Sequence, residues 1–318
     1  MKRELLLLRH GKASKNIVTD DFSRELKDKG KRHAQRIGIW LAQNDLLPDQ
    51  VLSSPAERAR VTAEKCCKAM NMNAADIIYD AQIYQAGIEQ LLEAIASSPD
   101  DHGRILLVGH NPGLEQLVRF LTASPPDEAS MSTTSLAHLM VDTTWDQLGE
   151  GTAQLFSMTH STDLPKGFPF PAVHSDERRD RPAYYYTQSS VIPYRTNSGK
   201  IEILLARSSK GKHWVVPKGI AEPGLSLQES AAEEAREEAG AIGEIDQQAL
   251  GSYDCTKWGA TCNVTVYSMR VDHLLPKDQW EESHRGRRWV ALTDALTRVK
   301  ESALQPMILD LEKRLLAD

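Results

Sequence analysis

Apolar positions in the first half of the chain fall into short continuous runs set between helical patterns. Leu5–Leu8 and Ile105–Val108 are unbroken apolar runs, and Val51-Leu52 opens a shorter one. Helical stretches lie between them, for example Lys31–Asn44 and Gly87–Ser97. Buried parallel strands joined by crossover helices give this alternation, because a strand covered on both faces needs apolar residues at every position. From Ser161 to Pro182 the pattern breaks down. The segment STDLPKGFPFPAVHSDERRDRP combines prolines with a charged cluster, the composition of a linker. Beyond it, Ser189–Tyr194, the Ile201-Glu-Ile-Leu-Leu run, His213–Val216, Thr261–Met269 and Arg288–Leu292 read as strands. Leu227–Ala239 and Leu304–Leu316 read as helices. The chain therefore reads as two α/β modules, one parallel and one mixed, over residues 1–160 and 183–318 with a linker at 161–182. Its 318 residues suit two domains.

Composition narrows the class. The chain is 41% hydrophobic and 26% charged, ordinary for a soluble globular protein. A net charge of −6 argues against binding a nucleic acid polymer, which needs a basic excess. No apolar run approaches the ~18 residues of a membrane span, so no membrane partner is expected. The opening MKRELLLLRH has the look of a leader, but Arg9-His10 interrupts its short apolar core, so none is expected. Cys66, Cys67, Cys255 and Cys262 form no CxxC pair and no zinc spacing. Reduced thiols in a cytoplasmic protein are the simplest reading. Cys66-Cys67 lies in a helical stretch and reads as packing.

Three strand ends carry candidate chemistry. LLLLRHGKAS places Arg9, His10 and Gly11 where a buried strand stops. ILLVGHNPG places His110 at the same point of another strand. VLSSPAERARVTAE follows a third with Ser53, Ser54 and Pro55, and then Arg58 enters a helix. Ligands of open parallel sheets bind outside the carboxyl ends of the strands. Two arginines and two histidines meeting there suit a phosphate, which arginine holds through forked hydrogen bonds. An imidazole in such a site can attack phosphorus.

On these residues, positions 1–160 resemble the histidine phosphatase family, specifically the small SixA-like phosphohistidine phosphatases. The resemblance implies a three-layer α/β/α fold and no cofactor in this domain. It implies that His10 is the nucleophile, with Arg9, Arg58 and His110 holding the phosphoryl oxygens. Many members of the broader family place an acid after a later strand to protonate the leaving group. Here that region reads AQIYQAGIEQ, with Tyr84 and no carboxylate before Glu89. A sugar alkoxide would then leave poorly, and an imidazole or a terminal phosphate better. A phosphohistidine protein is one partner that the resemblance allows.

The second module holds AAEEAREEAG at Ala231–Gly240. Ser226 and Glu229 form a capping box, and Gly240 sits where a left-handed cap belongs, so the helix spans about Leu227–Ala239. Glu234, Glu237 and Glu238 share one face. Like charges at that spacing cost a few tenths of a kcal/mol, and acids in a last turn face the negative end of the helix dipole for ~0.3–1 kcal/mol more. A bound divalent cation would reverse these costs, and magnesium suits hard oxygen ligands.

This window resembles the Nudix box, G-x5-E-x7-R-E-U-x-E-E-x-G-U with U bulky and apolar. Gly219 and Gly240 match its first and last glycines. Glu234, Glu237 and Glu238 match its metal-binding glutamates. Leu225 stands at the first glutamate and Glu233 at the arginine, so one supporting interaction is lost without stranding either partner. Glu233 is either an extra ligand or a partner of Arg236. Residues 183–318 follow Nudix element order, which implies a mixed α/β/α fold and Mg2+ or Mn2+ as cofactor. Hydrolases of diadenosine and diphosphoinositol polyphosphates are the closer likeness, through SSKGKHWVVPKG and WEESHRGRRWV. Lys210, Lys212, His213 and Lys218 form one basic group. His284, Arg285, Arg287 and Arg288 form another, and together they suit a small-molecule polyphosphate. Glu237 or Glu238 is a candidate general base, as are Glu281 and Glu282. Trp214, Trp280 and Trp289 read as packed or rim residues before they read as nucleobase platforms. The expected activity is a two-module phosphohydrolase. The Nudix module would split a nucleoside or dinucleoside polyphosphate, and the phosphatase would remove a terminal phosphate. A phosphohistidine phosphatase joined to a nucleotide-sensing Nudix module, and a diphosphoinositol polyphosphate hydrolase, are the alternatives.

Overall fold

The computed structural model describes residues 2–14, 20–123 and 130–317, and the chain forms two compact units, Met1–Pro182 and Ala183–Asp318. The first contains β1 (Arg3–Arg9), α1 (Asp28–Gln43), β2 (Gln50–Ser53), α2 (Glu57–Ala69), β3 (Ile78–Tyr79), α3 (Ile88–Ala96), β4 (Arg104–Gly109), α4 (Gly113–Thr122), β5 (Ser135–Val141) and β6 (Ala153–His160). Its sheet runs β3-β2-β4-β1-β5-β6. The Leu5–Leu8 run explains the layering. All four leucines are fully buried, and alternation sends them to opposite faces. Leu5 and Leu7 join Leu91, Ile95, Leu114 and Leu117 of α3 and α4. Leu6 and Leu8 join Ile37, Leu41, Ala59 and Ala63 of α1 and α2.

Two features differ from the sequence reading. The first sheet is mixed, because β5 runs antiparallel to β1, and β6 antiparallel to β5. The short connection between β5 and β6 cannot carry the crossover that a parallel pair requires. The segment at 161–182, expected to be a linker, clusters with the first unit. It forms a two-stranded hairpin, β7 (Phe168–Pro169) with β8 (Arg178–Arg179). Phe168 is 1% exposed and packs on Ile39 of α1 and Ala69 of α2. Ser161 and His33 share a hydrogen bond of 2.8 Å, and Gln43 donates to the Val173 carbonyl at 2.7 Å. Prolines that suit a linker suit a packed hairpin equally, and composition does not distinguish the two. Phe168→Ala is expected to destabilise the first unit by ~3–5 kcal/mol, read as a lower Tm for that unit. A residue in a solvated connector would leave the Tm unmoved.

The second unit contains β9 (Thr187–Asn197), β10 (Lys200–Arg207), β11 (Trp214–Val215), β12 (Lys218–Ile220), α5 (Leu227–Ala239), β13 (Ala241–Ile245), β14 (Gly251–Lys257), β15 (Ala260–Leu274), β16 (Arg287–Ala291), α6 (Leu292–Arg298) and α7 (Gln305–Ala317). The sheet path is β11-β10-β9-β15-β13, with β12 on β9, β14 on β15 and β16 on β10. Ser198 and Gly199 turn the β9–β10 hairpin with φ of 52° and 74°. Two positive φ values in a two-residue turn call for glycine at one of them. Ala231, Ala235 and Ala239 make a fully buried stripe on α5, four residues apart. Their small side chains seat the helix closely on Val191, Leu204, Tyr267 and Met269. The glutamate face flanks this stripe. Met307, Ile308 and Leu311 of α7 belong to the other core of this unit, with Ile192, Ile203 and Val264. Among the described residues no helix is long and apolar enough to cross a membrane.

Candidate functional site

In the first unit, β1, β2 and β4 lie side by side and end level. Arg9 pairs with Gly109, and Ser53 with Val108. The next residue of each strand stays in the sheet's plane: His10 N–H donates to the Gly109 carbonyl at 3.1 Å, and Ser54 N–H to that of Val108 at 3.0 Å. His10, Ser54 and His110 therefore meet at the carboxyl edge, as the sequence implied. The first turn of α2 adds Arg58. The His10 and His110 rings are 5.0 Å apart.

Hydrogen bonds fix the protonation pattern. His10 Nδ1 lies 2.8 Å from the Gly11 carbonyl, which can only accept, so Nδ1 carries the proton and Nε2 keeps its lone pair. Arg58 Nε–H donates to that Nε2 at 3.3 Å. Burial pushes the His10 pKa down to about 4, with Arg58, Arg9 and Arg24 adding to the effect. Burial, then His10 and Arg58, push His110 down to about 3. Both rings are neutral near pH 7. His110 Nε2 meets Ser54 Oγ at 2.9 Å, and its Nδ1 has no hydrogen-bond partner among the described residues. Arg9 Nη1 donates to the Met131 carbonyl at 2.6 Å, while its buried Nε has no such partner. The Gly11 amide donates to Thr62 Oγ1 at 2.9 Å, tying the histidine loop to α2. A Cβ on Gly30 would come within 2.7 Å of the Lys12 carbonyl, so only glycine lets α1 approach this loop so closely.

Asp21 is a site residue that the sequence pattern does not mark. Its carboxylate accepts from Arg24, Arg58 and Tyr84, with the Tyr84 hydroxyl at 3.0 Å. Arg24, then Tyr84 and Arg58, hold its pKa down at about 2 against the effect of burial. Asp21 is thus ionised and cannot serve as the absent acid. Its only signal in the sequence is a D-x-x-R spacing in an irregular loop.

In the second unit, the capping box is made by Ser226 and Glu229, and Gly240 closes α5 with φ of 56°. Glu234, Glu237 and Glu238 share the face expected of them. Glu234 and Glu238 are the more deeply set of the three, and each is partly buried. A Cβ on Gly219 would lie 1.6 Å from its Oε1, so the glycine of β12 is the space this carboxylate occupies. No hydrogen bond or ion pair holds Glu234 among the described residues. Burial, with Glu238, Glu237, Glu222 and Glu282, raises its pKa to about 8. Burial likewise raises Glu237 and Glu238.

Arginines hold the remaining acids. Arg285 meets Glu238 at 2.9 Å and Glu282 at 2.6 Å. Arg236 meets Glu233 at 2.9 Å, and Glu237 and Glu281 each at 3.3 Å. Glu233 therefore stands as the partner of Arg236. Among the described residues no group of three or more His, Cys, Asp or Glu side chains is drawn together as a metal site. The donor set nonetheless fits a hard divalent cation, because the partly buried Glu234 lies among acids with no hydrogen-bond donor of its own among the described residues. Glu222, missed in the sequence, adds a carboxylate beside Glu234 three residues from the position where Leu225 replaces the usual acid.

The basic residues divide. Lys218 N–H donates to Glu238 Oε2 at 3.2 Å, and its Nζ to Gln188 at 2.9 Å. Lys257, not anticipated, has its pKa lowered by burial and by Lys218 while Glu234 raises it. Lys210, Lys212 and His213 are exposed on the β10–β11 turn, and no ion pair links them to the carboxylates among the described residues. Arg285 is at the acids as their partner. Arg287, expected at the substrate, does something else. It donates to the carbonyls of Ala239, Gly240 and Leu275 at 2.8, 3.0 and 2.6 Å and stacks on Trp280. Its charge sits at the negative end of α5, where it offsets the dipole. Trp280, Trp214 and Trp289 already face Arg287, Arg207 and Arg195.

Comparison with known proteins agrees with both halves. The model of the histidine phosphatase superfamily (branch 1) matches residues 5–83, and the NUDIX domain model matches residues 186–311. Nudix hydrolase 12, mitochondrial, of Arabidopsis thaliana is 30% identical over 37% of this chain and 70% of its own length. Nudix hydrolase 21, chloroplastic, of the same plant is 32% identical over 40% of this chain and 66% of its own. Nudix hydrolase 17, mitochondrial, is 36% identical over 33% and 61%. The chain thus spans just under two thirds of the length of these last two relatives. Among solved structures, the protein histidine phosphatase SixA complexed with tungstate is 19% identical with a TM-score of 0.45, covering 51% of this chain and 99% of that one. The Caenorhabditis elegans Ap4A hydrolase is 23% identical with a TM-score of 0.36, covering 41% and 98%. Both matched families are families of hydrolytic enzymes. The chain belongs to the Nudix hydrolase family and carries a histidine phosphatase domain ahead of its Nudix domain.

Proposed function

We propose that the Nudix domain hydrolyses a nucleoside or dinucleoside polyphosphate, such as Ap4A or 8-oxo-dGTP, with a divalent cation. We propose further that the first domain removes a terminal phosphate through a phosphohistidine formed on His10. The observation that carries the Nudix half is Glu234, partly buried among acids with no hydrogen-bond donor among the described residues. Glu234, with Glu237 and Glu238, would hold Mg2+ or Mn2+. Bound there, the cation supplies Lewis acidity to phosphate oxygens. Glu237, half-buried and raised in pKa, is suited to take a proton from water. Lys218 and Lys257 neutralise the nearest phosphates. Lys210, Lys212 and His213 meet the far end of a long chain. Arg287 has no part in binding.

In the first domain, His10 Nε2 attacks phosphorus as the bond to the leaving group breaks. Arg9, Arg58 and His110 hold the phosphoryl oxygens. Water then attacks the phosphohistidine, freeing phosphate and returning the lone pair to Nε2. No cofactor is needed for these steps. With Asp21 ionised, the leaving group takes its proton from solvent. That favours a terminal phosphate, or the imidazole of a phosphohistidine protein, over a sugar alkoxide. The depressed His10 pKa predicts that kcat/KM holds level from about pH 8 to 5 and falls near pH 4. A pH profile with its acid limb at the usual histidine value of 6.5 would contradict it. The four cysteines are free thiols, which suits a reducing compartment such as the cytoplasm.

The ion pair of Arg285 with Glu238 favours a second reading, in which the Nudix domain binds a nucleotide without cleaving it. A substrate screen decides between them. Ap4A, 8-oxo-dGTP, inositol pyrophosphate and a phosphohistidine peptide are assayed with and without Mg2+ on wild type, His10→Ala and Glu237→Gln. Mg2+-dependent nucleotide turnover that Glu237→Gln alone removes supports the first reading. Nucleotide binding without turnover supports the second.

A further inference from the structure

Asp21, a carboxylate that the chemistry above does not use, is bound to Arg58 of the histidine pocket. Asp20 Oδ1 accepts from the amide and hydroxyl of Ser23 at 2.7 and 2.8 Å, closing a tight turn. The Phe22 carbonyl accepts from the Glu57 amide at 3.0 Å, tying that turn to the start of α2. Between these anchors Asp21 takes both terminal nitrogens of Arg58. Nη1 donates to its carbonyl oxygen, and Nη2 to Oδ2 at 2.8 Å. The same carboxylate accepts from Arg24 Nη1 at 2.8 Å and from the Tyr84 hydroxyl at 3.0 Å. The Arg58 side chain is 6% exposed and that of Asp21 43%, so the acid stands at the mouth and the arginine lies within. With both Nη groups engaged, Nε–H faces His10 Nε2.

We propose that Asp21 is a positioning residue of the phosphoryl pocket: it sets the rotation of the Arg58 guanidinium toward the reacting nitrogen, and its charge at the mouth opposes phosphate anions. A guanidinium is planar, so fixing both terminal nitrogens fixes the direction of the third N–H. Alignment is then set before the substrate arrives, which is where orientation lowers a barrier. The charge acts in the opposite sense on ground-state binding, since a carboxylate beside an anion site repels its ligand. Loss of the charge should therefore lower the rate without weakening anion binding. A residue that served only the fold would lower both together.

This inference rests on His10 as nucleophile, and the test separates the two. Full-length protein is treated with phosphoramidate, whose P–N bond breaks as the His10 Nε2–P bond forms, ammonia leaving with a proton from solvent. Acid-labile phosphate on the protein is followed in time, and the affinity for inorganic phosphate is measured by calorimetry. For Asp21→Asn we expect phosphorylation at saturating phosphoramidate to fall about 10- to 100-fold, with inorganic phosphate bound as tightly as by wild type or tighter. Asp21→Ala should fall further, and should it fail to fold, the isosteric Asn variant still decides. A wild-type rate in Asp21→Asn, or a rate loss matched by weaker phosphate binding, overturns the proposal. Wild type that neither phosphorylates nor binds inorganic phosphate overturns the His10 reading as well.

Discussion

His10→Ala is expected to abolish phosphoenzyme formation and to lower phosphatase turnover by on the order of 10⁴-fold or more. The size follows from the role. Arg9, Arg58 and His110 can still bind phosphate without His10, but no lone pair is left at the position that Gly11 and Arg58 define. Binding should persist while chemistry stops, so the variant should still take up inorganic phosphate. Mg2+-dependent hydrolysis should be untouched, because none of these residues belongs to the glutamate helix. Phosphatase activity retained in His10→Ala would remove the covalent route. Loss of the Nudix activity in that variant would contradict the independence of the two chemistries.

Glu234→Gln is expected to lower Mg2+-dependent hydrolysis by at least ~100-fold while making the metal-free Nudix domain more stable above neutral pH. The sign follows from the raised pKa. The unfolded chain ionises this group near its ordinary value of 4.5, and the folded chain only at about 8. As pH rises between these values the unfolded state releases its proton first, so stability declines through that window and the penalty is complete above it. Glutamine removes the penalty, so the variant should gain Tm over wild type near pH 8 and gain nothing near pH 4. If the proposed divalent cation binds wild type, it should offset the same penalty, by ~2.7 kcal/mol at a hundredfold excess over Kd. That Mg2+-dependent rise in Tm should vanish in Glu234→Gln. A variant that lost stability near pH 8 would mean that Glu234 is an ordinary packing residue.

The parts legible in the sequence were those written in periodic positions. Four consecutive leucines between polar flanks suit a short strand buried on both faces, and the residues after such strands lie together at one edge. His10, Arg58 and His110 were found that way. Glu234, Glu237 and Glu238 were found from helical spacing together with the glycine cap. Other residues were out of reach because their roles depend on direction. Arg287 and Arg288 are neighbours in one basic run, yet Arg287 turns in to the end of α5 and Arg288 stays exposed. Asp21 and Lys257 come from a loop and a strand end remote in sequence from the residues they meet. Glu222 supplies its acid from outside the expected spacing. Phe168 lies among prolines whose composition suits a linker, and only its burial against α1 and α2 shows otherwise.

The proposed divalent cation is what would let the acids of α5 tolerate one another. Calorimetric titration of the full-length protein with Mg2+ near pH 7, in two buffers of different ionisation enthalpy, tests it most directly. Glu234 is largely protonated there and must lose its proton to act as a ligand. The account predicts saturable binding in wild type with net release of protons, and loss of both binding and release in Glu234→Gln. Absence of binding in wild type, or binding that Glu234→Gln leaves intact with the same proton release, would contradict it.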